Sequence, residues 1–320
     1  MPIEPLPIHY GQGDHAGICI IELDQPGKSV VVLELELIQR LEAALDALPK
    51  DARGLVIASA SERSFVAGAD LKSIMAMDDG QLHKYLEYGA SVFGKISRLP
   101  YPTAAAINGA ALGGGLELAM HCDGLIGAPA PDGKPYPVGL PEAGLSICPG
   151  WGGTQMLPAR IEPGSAILMT AVGKPMKFDG AAEAGLFDAV CEKAGDLRKV
   201  AASWVADRAN PDGKKKLDRD GAPSVWIGRG EWAAGVLEAL DALKIDLPKT
   251  QSAAAVAECV DVGIASGWSA GIKKEREHLV RLRHTPEATE AIESFFARSG
   301  SKSSGDNAGN QAAEKPAANA

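Results

Sequence analysis

Up to about Asp188 the chain alternates short apolar runs with amphipathic helical stretches, and this alternation limits the choice of fold more than any other feature. Gly17–Leu23 (GICIIEL) reads as a strand, closed by the turn signal Pro26-Gly27. Val32–Leu48 places Leu37, Leu41, Leu45 and Leu48 at helical spacing, with charges between them. Gly54–Ser59 (GLVIAS) reads as a short buried strand, Gln81–Leu99 as a second amphipathic helix and Thr103–Ile107 (TAAAI) as another strand. Strands and helices taken in turn require crossover units and a mostly parallel sheet, so the fold class is α/β.

Beyond Asp188 the strands are expected to run out. Gly195–Arg208 has a helical pattern, residues 211–223 (PDGKKKLDRDGAP) read as a polar loop of mixed charge, and Glu231–Phe296 reads as helix after helix. Ser299–Ala320 has no Val, Ile, Leu or aromatic residue, so it buries too little apolar surface to offset its ordering entropy and is expected to be a disordered polar tail. Three parts follow: a core over 1–195, a helical region over 196–298 and the tail over 299–320.

The net charge of −9 argues against non-specific nucleic-acid binding, which needs a basic surface. It leaves room for an anionic ligand, because a few lysines and helix-terminal N–H groups can hold phosphate on an acidic protein. Cys19, Cys122, Cys148, Cys191 and Cys259 form no CxxC pair and no metal-spaced set with histidine, so they read as small buried residues and no metal is expected. The N-terminus lacks a secretory pattern and no run approaches a membrane span, so a cytoplasmic location is expected.

Three glycine-rich stretches carry the chemistry: Ser64–Ile74 (SFVAGADLKSI), Asn108–Asp123 (NGAALGGGLELAMHCD) and Gly139–Leu157 (GLPEAGLSICPGWGGTQML). None spells a nucleotide-binding motif. A Gly/Ala run opening a helix exposes N–H groups at the positive end of the helix dipole, where an anion or polarised carbonyl oxygen can sit. Taken alone, such a run is equally a tight turn with close helix–sheet packing. Glu117 and Glu142 lie just beyond two of these runs, in apolar surroundings that raise a carboxyl pKa and suit proton transfer near neutral pH. A lone glutamate is more commonly a helix cap or surface residue; a pair set against two such loops is harder to read that way.

In order and spacing the three stretches resemble the enoyl-CoA hydratase/isomerase (crotonase) superfamily, over about residues 10–195. PGWGGTQMLP and EREHLVRLRHTPEATEAIESFFA look more narrowly like the hydratase half of fused multifunctional β-oxidation enzymes. In those enzymes a dinucleotide-binding dehydrogenase domain follows; none is seen in this sequence, and dehydrogenase activity is not expected of it. The resemblance implies a crotonase (ClpP-like) fold of repeated ββα units with a helical C-terminal region. It also implies hydration of trans-2-enoyl-CoA to 3-hydroxyacyl-CoA, with Glu117 acting on water and Glu142 on the α-proton. By the same resemblance the Ala69 and Gly114 N–H groups form the oxyanion hole. The backbone around Ala67 and Gly68 would, by that resemblance, meet the adenine of CoA and Lys72 its pyrophosphate, with an ordinary surface lysine as the other reading of Lys72; Asp70 and Gly113 are further substrate-binding positions. No cofactor is expected, since coenzyme A belongs to the substrate.

Two other readings stay open. One is Δ3–Δ2-enoyl-CoA isomerisation, which needs only the enolate and Glu142. The other is a non-catalytic acyl-CoA-binding subunit docked on a separate 3-hydroxyacyl-CoA dehydrogenase; a homo-oligomer is the alternative assembly. The sequence departs from the family at Ala128–Val138 (APAPDGKPYPV), a long proline-rich connection expected to alter the acyl pocket, and in the length of 196–298. Among weaker candidates, His121 reads as a packing or surface residue and Cys148 as pocket lining rather than nucleophile. Trp151 and Met156 read as core or acyl-channel border, Lys214–Lys216 as a solvated loop, and Phe295-Phe296 as the dock for the last helix.

Overall fold

The computed structural model describes residues 3–209, 219–230 and 232–308, with side chains as far as residue 298. Among these residues ten strands form two sheets. The larger contains, in spatial order, β1 (Ile8–Tyr10), β2 (Ile18–Leu23), β3 (Gly54–Ser59), β5 (Thr103–Ile107), β7 (Gly124–Gly127) and β10 (Ala189–Val190). All its pairings are parallel except that of β1 with β2. The smaller contains β4 (Ser64–Val66), β6 (Ala110–Leu112), β8 (Pro137–Gly139) and β9 (Met176–Lys177), with only the last pair antiparallel.

The order along the chain gives the repeat. A strand of the large sheet is followed at once by a strand of the small sheet and then by helix. β3 and β4 lead to α2 (Leu71–Ala76) and α3 (Asp79–Arg98), which follow α1 (Leu35–Asp46) in the chain; β5 and β6 lead to α4 (Gly114–Met120). β7 and β8 lead to a 3₁₀ turn, Glu142–Leu145. These are the expected ββα units. Each Gly-rich stretch therefore lies where a small-sheet strand gives way to a helix.

The continuous apolar runs are explained by burial on both sheet faces. Side chains alternate along a strand, so Leu55 and Ile57 of β3 enter the main core while Val56 and Ala58 enter a second cluster behind the sheet. That second cluster is closed by α8 (Leu197–Arg208), through Leu197, Ala201, Trp204 and Val205. The remaining helices are α5 (Gly153–Met156), α6 (Pro163–Val172), α7 (Phe178–Glu183), α9 (Trp232–Leu243), α10 (Gln251–Ser266), α11 (Trp268–Leu282) and α12 (Pro286–Ala308). α10 and α11 pair, α11 also packs on α3, and α12 packs on the turn that starts with Glu142. No helix among the described residues is long and apolar enough to cross a membrane.

Several boundaries differ from those expected. Helix α1 starts at Leu35, because Leu33 is used in a bridge to Ala69: its N–H donates to Gly68 O and its carbonyl accepts from Asp70. Helix α3 starts at Asp79 because Asp78 caps it, in a reciprocal box with Gln81. A strand follows Asp188 after all, since β10 pairs with β7 through Ala189 and Ile126. Helix α12 continues to Ala308, ten residues into the segment expected as a tail, as propagation from a formed helix adds a hydrogen bond per residue with no further nucleation cost. Residues 309–320 and Lys214–Lys216 lie outside the described residues.

Candidate active site

The site is built where β6 meets α4. Gly113 joins them at φ +51°, ψ −127°, a conformation closed to residues with a Cβ, and its N–H donates to Gly139 O at 2.9 Å. A Cβ there would also lie 2.3 Å from Glu142 Oε1. Glu117, in the first turn of α4, is fully buried, and its Oε1 accepts from Trp151 N–H at 2.7 Å and Gly153 N–H at 2.8 Å. Glu142 opens the 3₁₀ turn after Pro141, and the turn ends at Ser146 in the left-handed conformation (φ 58°). Glu142 Oε2 is buried and has no hydrogen-bond partner among the described residues.

Both glutamates line one cavity of about 280 Å³. Its apolar wall comes from Leu71, Ile74, Leu86, Trp151, Leu279 and Phe295. The backbone of Ala69 and Gly114 borders the same space, and neither N–H donates to an acceptor among the described residues. For Gly114 this follows from its place at the helix start, where amides lack intrahelical partners.

Burial dominates the electrostatics. It raises the Glu142 carboxyl to about 8, with a smaller push from Glu275. Glu117 is also pushed well above the ordinary carboxylate range, first by burial and then by the charges of Glu275 and Glu142, while the Trp151 and Gly153 amides pull the other way. Carboxyls this close titrate as a set. The two amides favour the ionised form of Glu117 against its burial, while Glu142 Oε2 has no donor among the described residues.

A family model described as Enoyl-CoA hydratase/isomerase matches residues 13–214. The chain belongs to the enoyl-CoA hydratase/isomerase family. It is 31% identical over 294 residues to the fatty acid oxidation complex subunit alpha of Aliivibrio fischeri, covering 89% of this chain and 41% of that protein. This family member thus spans less than half of that relative's length. Among solved structures it resembles an enoyl-CoA hydratase from Bacillus anthracis, with 25% identity, TM-score 0.58, and 92% and 97% of the two chains covered. It shares the fold of human mitochondrial delta3-delta2-enoyl-CoA isomerase at 19% identity and TM-score 0.64, over 92% and 98% of the chains.

Of the residues singled out from sequence in this family member, Ala67, Gly68, Ala69, Gly113, Gly114, Glu117 and Glu142 meet around the cavity. Two others stand apart from it. Asp70 caps α2, accepting from Lys72 N–H at 3.1 Å and from the Ser73 hydroxyl. Lys72 is exposed, with its Nζ 5.6 Å from the centre of the Phe296 ring. The Ala128–Val138 connection does not border the cavity: Tyr136 turns inward, donating to Ala128 O at 2.6 Å and packing on Phe178, and the segment lines a separate surface hollow.

Cys148 is buried against α10 and lines no part of the cavity, its sulfur 3.9 Å from that of Cys259. His121 is a packing residue between Ser97 and the Trp151 carbonyl, and burial lowers it to about 4. Trp151 borders the cavity while Met156 lies in the core. Sequence reasoning missed Glu275 on α11, which is wholly buried and accepts from Gly152 N–H at 2.6 Å, Thr154 N–H at 2.8 Å and the Thr154 hydroxyl. A signal was present: Gly271, Glu275, Leu279 and Leu282 form one buried helix face, and a glutamate in such a face needs a partner.

Proposed function

We propose that the chain hydrates trans-2-enoyl-CoA thioesters to 3-hydroxyacyl-CoA. The observation that carries this reading is the convergence on one apolar cavity of two unlike carboxyls and two amides without acceptors. Glu117, held by two N–H donors, takes a proton from water, and the oxygen adds to the β-carbon. The double-bond electrons move toward the thioester, whose oxygen is met by the N–H groups of Ala69 and Gly114. Protonated Glu142 then delivers its proton to the α-carbon, so one water is added and charge is conserved. Each oxyanion donor is worth on the order of 10²–10³ in rate. The backbone around Ala67 and Gly68 meets the adenine of CoA, Gly113 borders the thioester, Asp70 fixes the start of α2, and Lys72 meets the CoA pyrophosphate.

Isomerisation of a 3-enoyl-CoA is the second reading. It needs only one carboxyl at the α-carbon, and Glu142 reaches the cavity with a buried oxygen that has no partner among the described residues. Product analysis separates the two. With crotonyl-CoA and a 3-enoyl-CoA offered separately, hydratase action gives the 3-hydroxy product from the former at the higher kcat/KM. A faster conversion of the 3-enoyl substrate, with no 3-hydroxy product from crotonyl-CoA, would overturn hydration. Tight acyl-CoA binding with neither reaction would leave the non-catalytic subunit.

A further inference from the structure

We propose that Glu275, carried by the C-terminal helical region, is a positioning residue that clamps the turn over residues 151–154 and thereby fixes the orientation of Glu117. The inference rests on the assignment of Glu117 as an acid/base group. Four consecutive backbone amides divide between two carboxyls. Trp151 and Gly153 donate to Glu117, and Gly152 and Thr154 donate to Glu275. Gly152 makes the alternation possible with φ +103°, where a Cβ would also lie 2.5 Å from the Trp268 ring. The turn is thus held from two sides, and the same backbone that Glu275 grips supplies both N–H groups that grip Glu117.

The clamp spans the fold. Glu275 lies in α11, outside the family match of 13–214, yet it reaches the amides that bind a side chain of α4. The Thr154 hydroxyl adds a third bond to Glu275 and is itself bonded by Gln155 Nε2, which also reaches Cys259 O on α10. Burial raises Glu275 to about 7, and in its ionised form three donors make it a strong local restraint, because each charged hydrogen bond is well above the neutral average in strength.

The charge of Glu275 also acts through space. The titratable groups around Glu117 are Glu142 on the 3₁₀ turn, Glu275 on α11 and His121 one turn further along α4. His121 is neutral at pH 7 because burial lowers it to about 4. The Cys148 and Cys259 thiols near Glu275 are held up by burial and are also neutral. Only Glu142 and Glu275 therefore change the charge that Glu117 feels, and a charged Glu275 makes Glu117 the stronger base.

The test follows the Trp151 and Gly153 amide protons by NMR through a pH titration of the whole protein, with the Glu117 component assigned by its loss in Glu117→Gln. Glutamine offers one acceptor oxygen where Glu275 uses two, so in Glu275→Gln either Gly152 or Thr154 loses its partner and the turn loosens. The expected result is a smaller low-field displacement of both amides together with a midpoint lower by about one pH unit. Unchanged displacement in folded Glu275→Gln overturns the proposal, even if the midpoint moves, since that is charge without positioning. Should Glu275→Gln not fold, Glu275→Asp keeps the charge at shorter reach. It is expected to reduce the displacement with a midpoint near that of wild type, and amides identical to wild type would overturn the proposal. The titration needs no turnover, so failure of wild type to hydrate an enoyl-CoA would sink the proposed reaction and still leave this question decided.

Discussion

At the scale of single residues, Glu142 gives the site its pH signature. Its carboxyl rises from an ordinary 4.5 to about 8 on folding, chiefly through burial. Between those values the unfolded chain holds fewer protons than the folded one, so Glu142 contributes stability at low pH that is lost as pH climbs toward 8. Glu142→Gln removes this loss while keeping the shape of the neutral acid. The melting temperature of the variant, relative to wild type, should therefore be higher at pH 8 than at pH 5; parallel curves across that interval would contradict the burial of the carboxyl. The comparison with wild type cancels His121, whose lowered value works in the opposite sense below about 6.5. Phe295 supplies a second residue-scale check, as it borders the cavity from α12. Phe295→Ala should raise KM for a C10 enoyl-CoA by about tenfold, the worth of one large apolar contact, while KM for crotonyl-CoA changes little.

At the scale of elements, the joint between β6 and α4 organises the site. Gly113→Ala would introduce a Cβ at a positive φ and against Glu142 Oε1, so the helix start must shift. A shift there moves the Gly114 amide away from the thioester, and kcat is expected to fall on the order of 10²-fold or more. A variant that folds and turns over like wild type would show that this amide is not used. How legible these elements were depended on how local their causes were. Strands β3 and β5 were readable because unbroken apolar runs have few other uses. The start of α1 was not, because Leu33 is taken by a bridge to Ala69, a residue far along the sequence. Glu117 and Glu142 could be picked out by their glycine-rich surroundings. Glu275 could not be picked out that way, since KKEREH reads as a solvated charged helix until the helix face it shares with Leu279 and Leu282 is followed.

At the scale of the whole molecule, one cavity collects contributions from distant segments. Its floor comes from the ββα core, and its far wall from α11 and α12 through Leu279 and Phe295. Arg283, at the end of α11, ties that wall to α2 and α3 by donating to Ile74 O at 2.6 Å and Met77 O at 2.7 Å and pairing with Asp79. The C-terminal helical region packs on the core, closing the sheet at α8 and the site at α11. Such an arrangement makes sense for a reaction that needs buried carboxyls and an apolar acyl chain in one water-poor space. The most direct test is the initial rate of crotonyl-CoA hydration by wild type and Glu117→Gln. Rapid formation of 3-hydroxybutyryl-CoA by wild type, reduced on the order of 10²–10⁴-fold in a folded variant, is the predicted result. Equal rates for the two proteins would contradict the central claim.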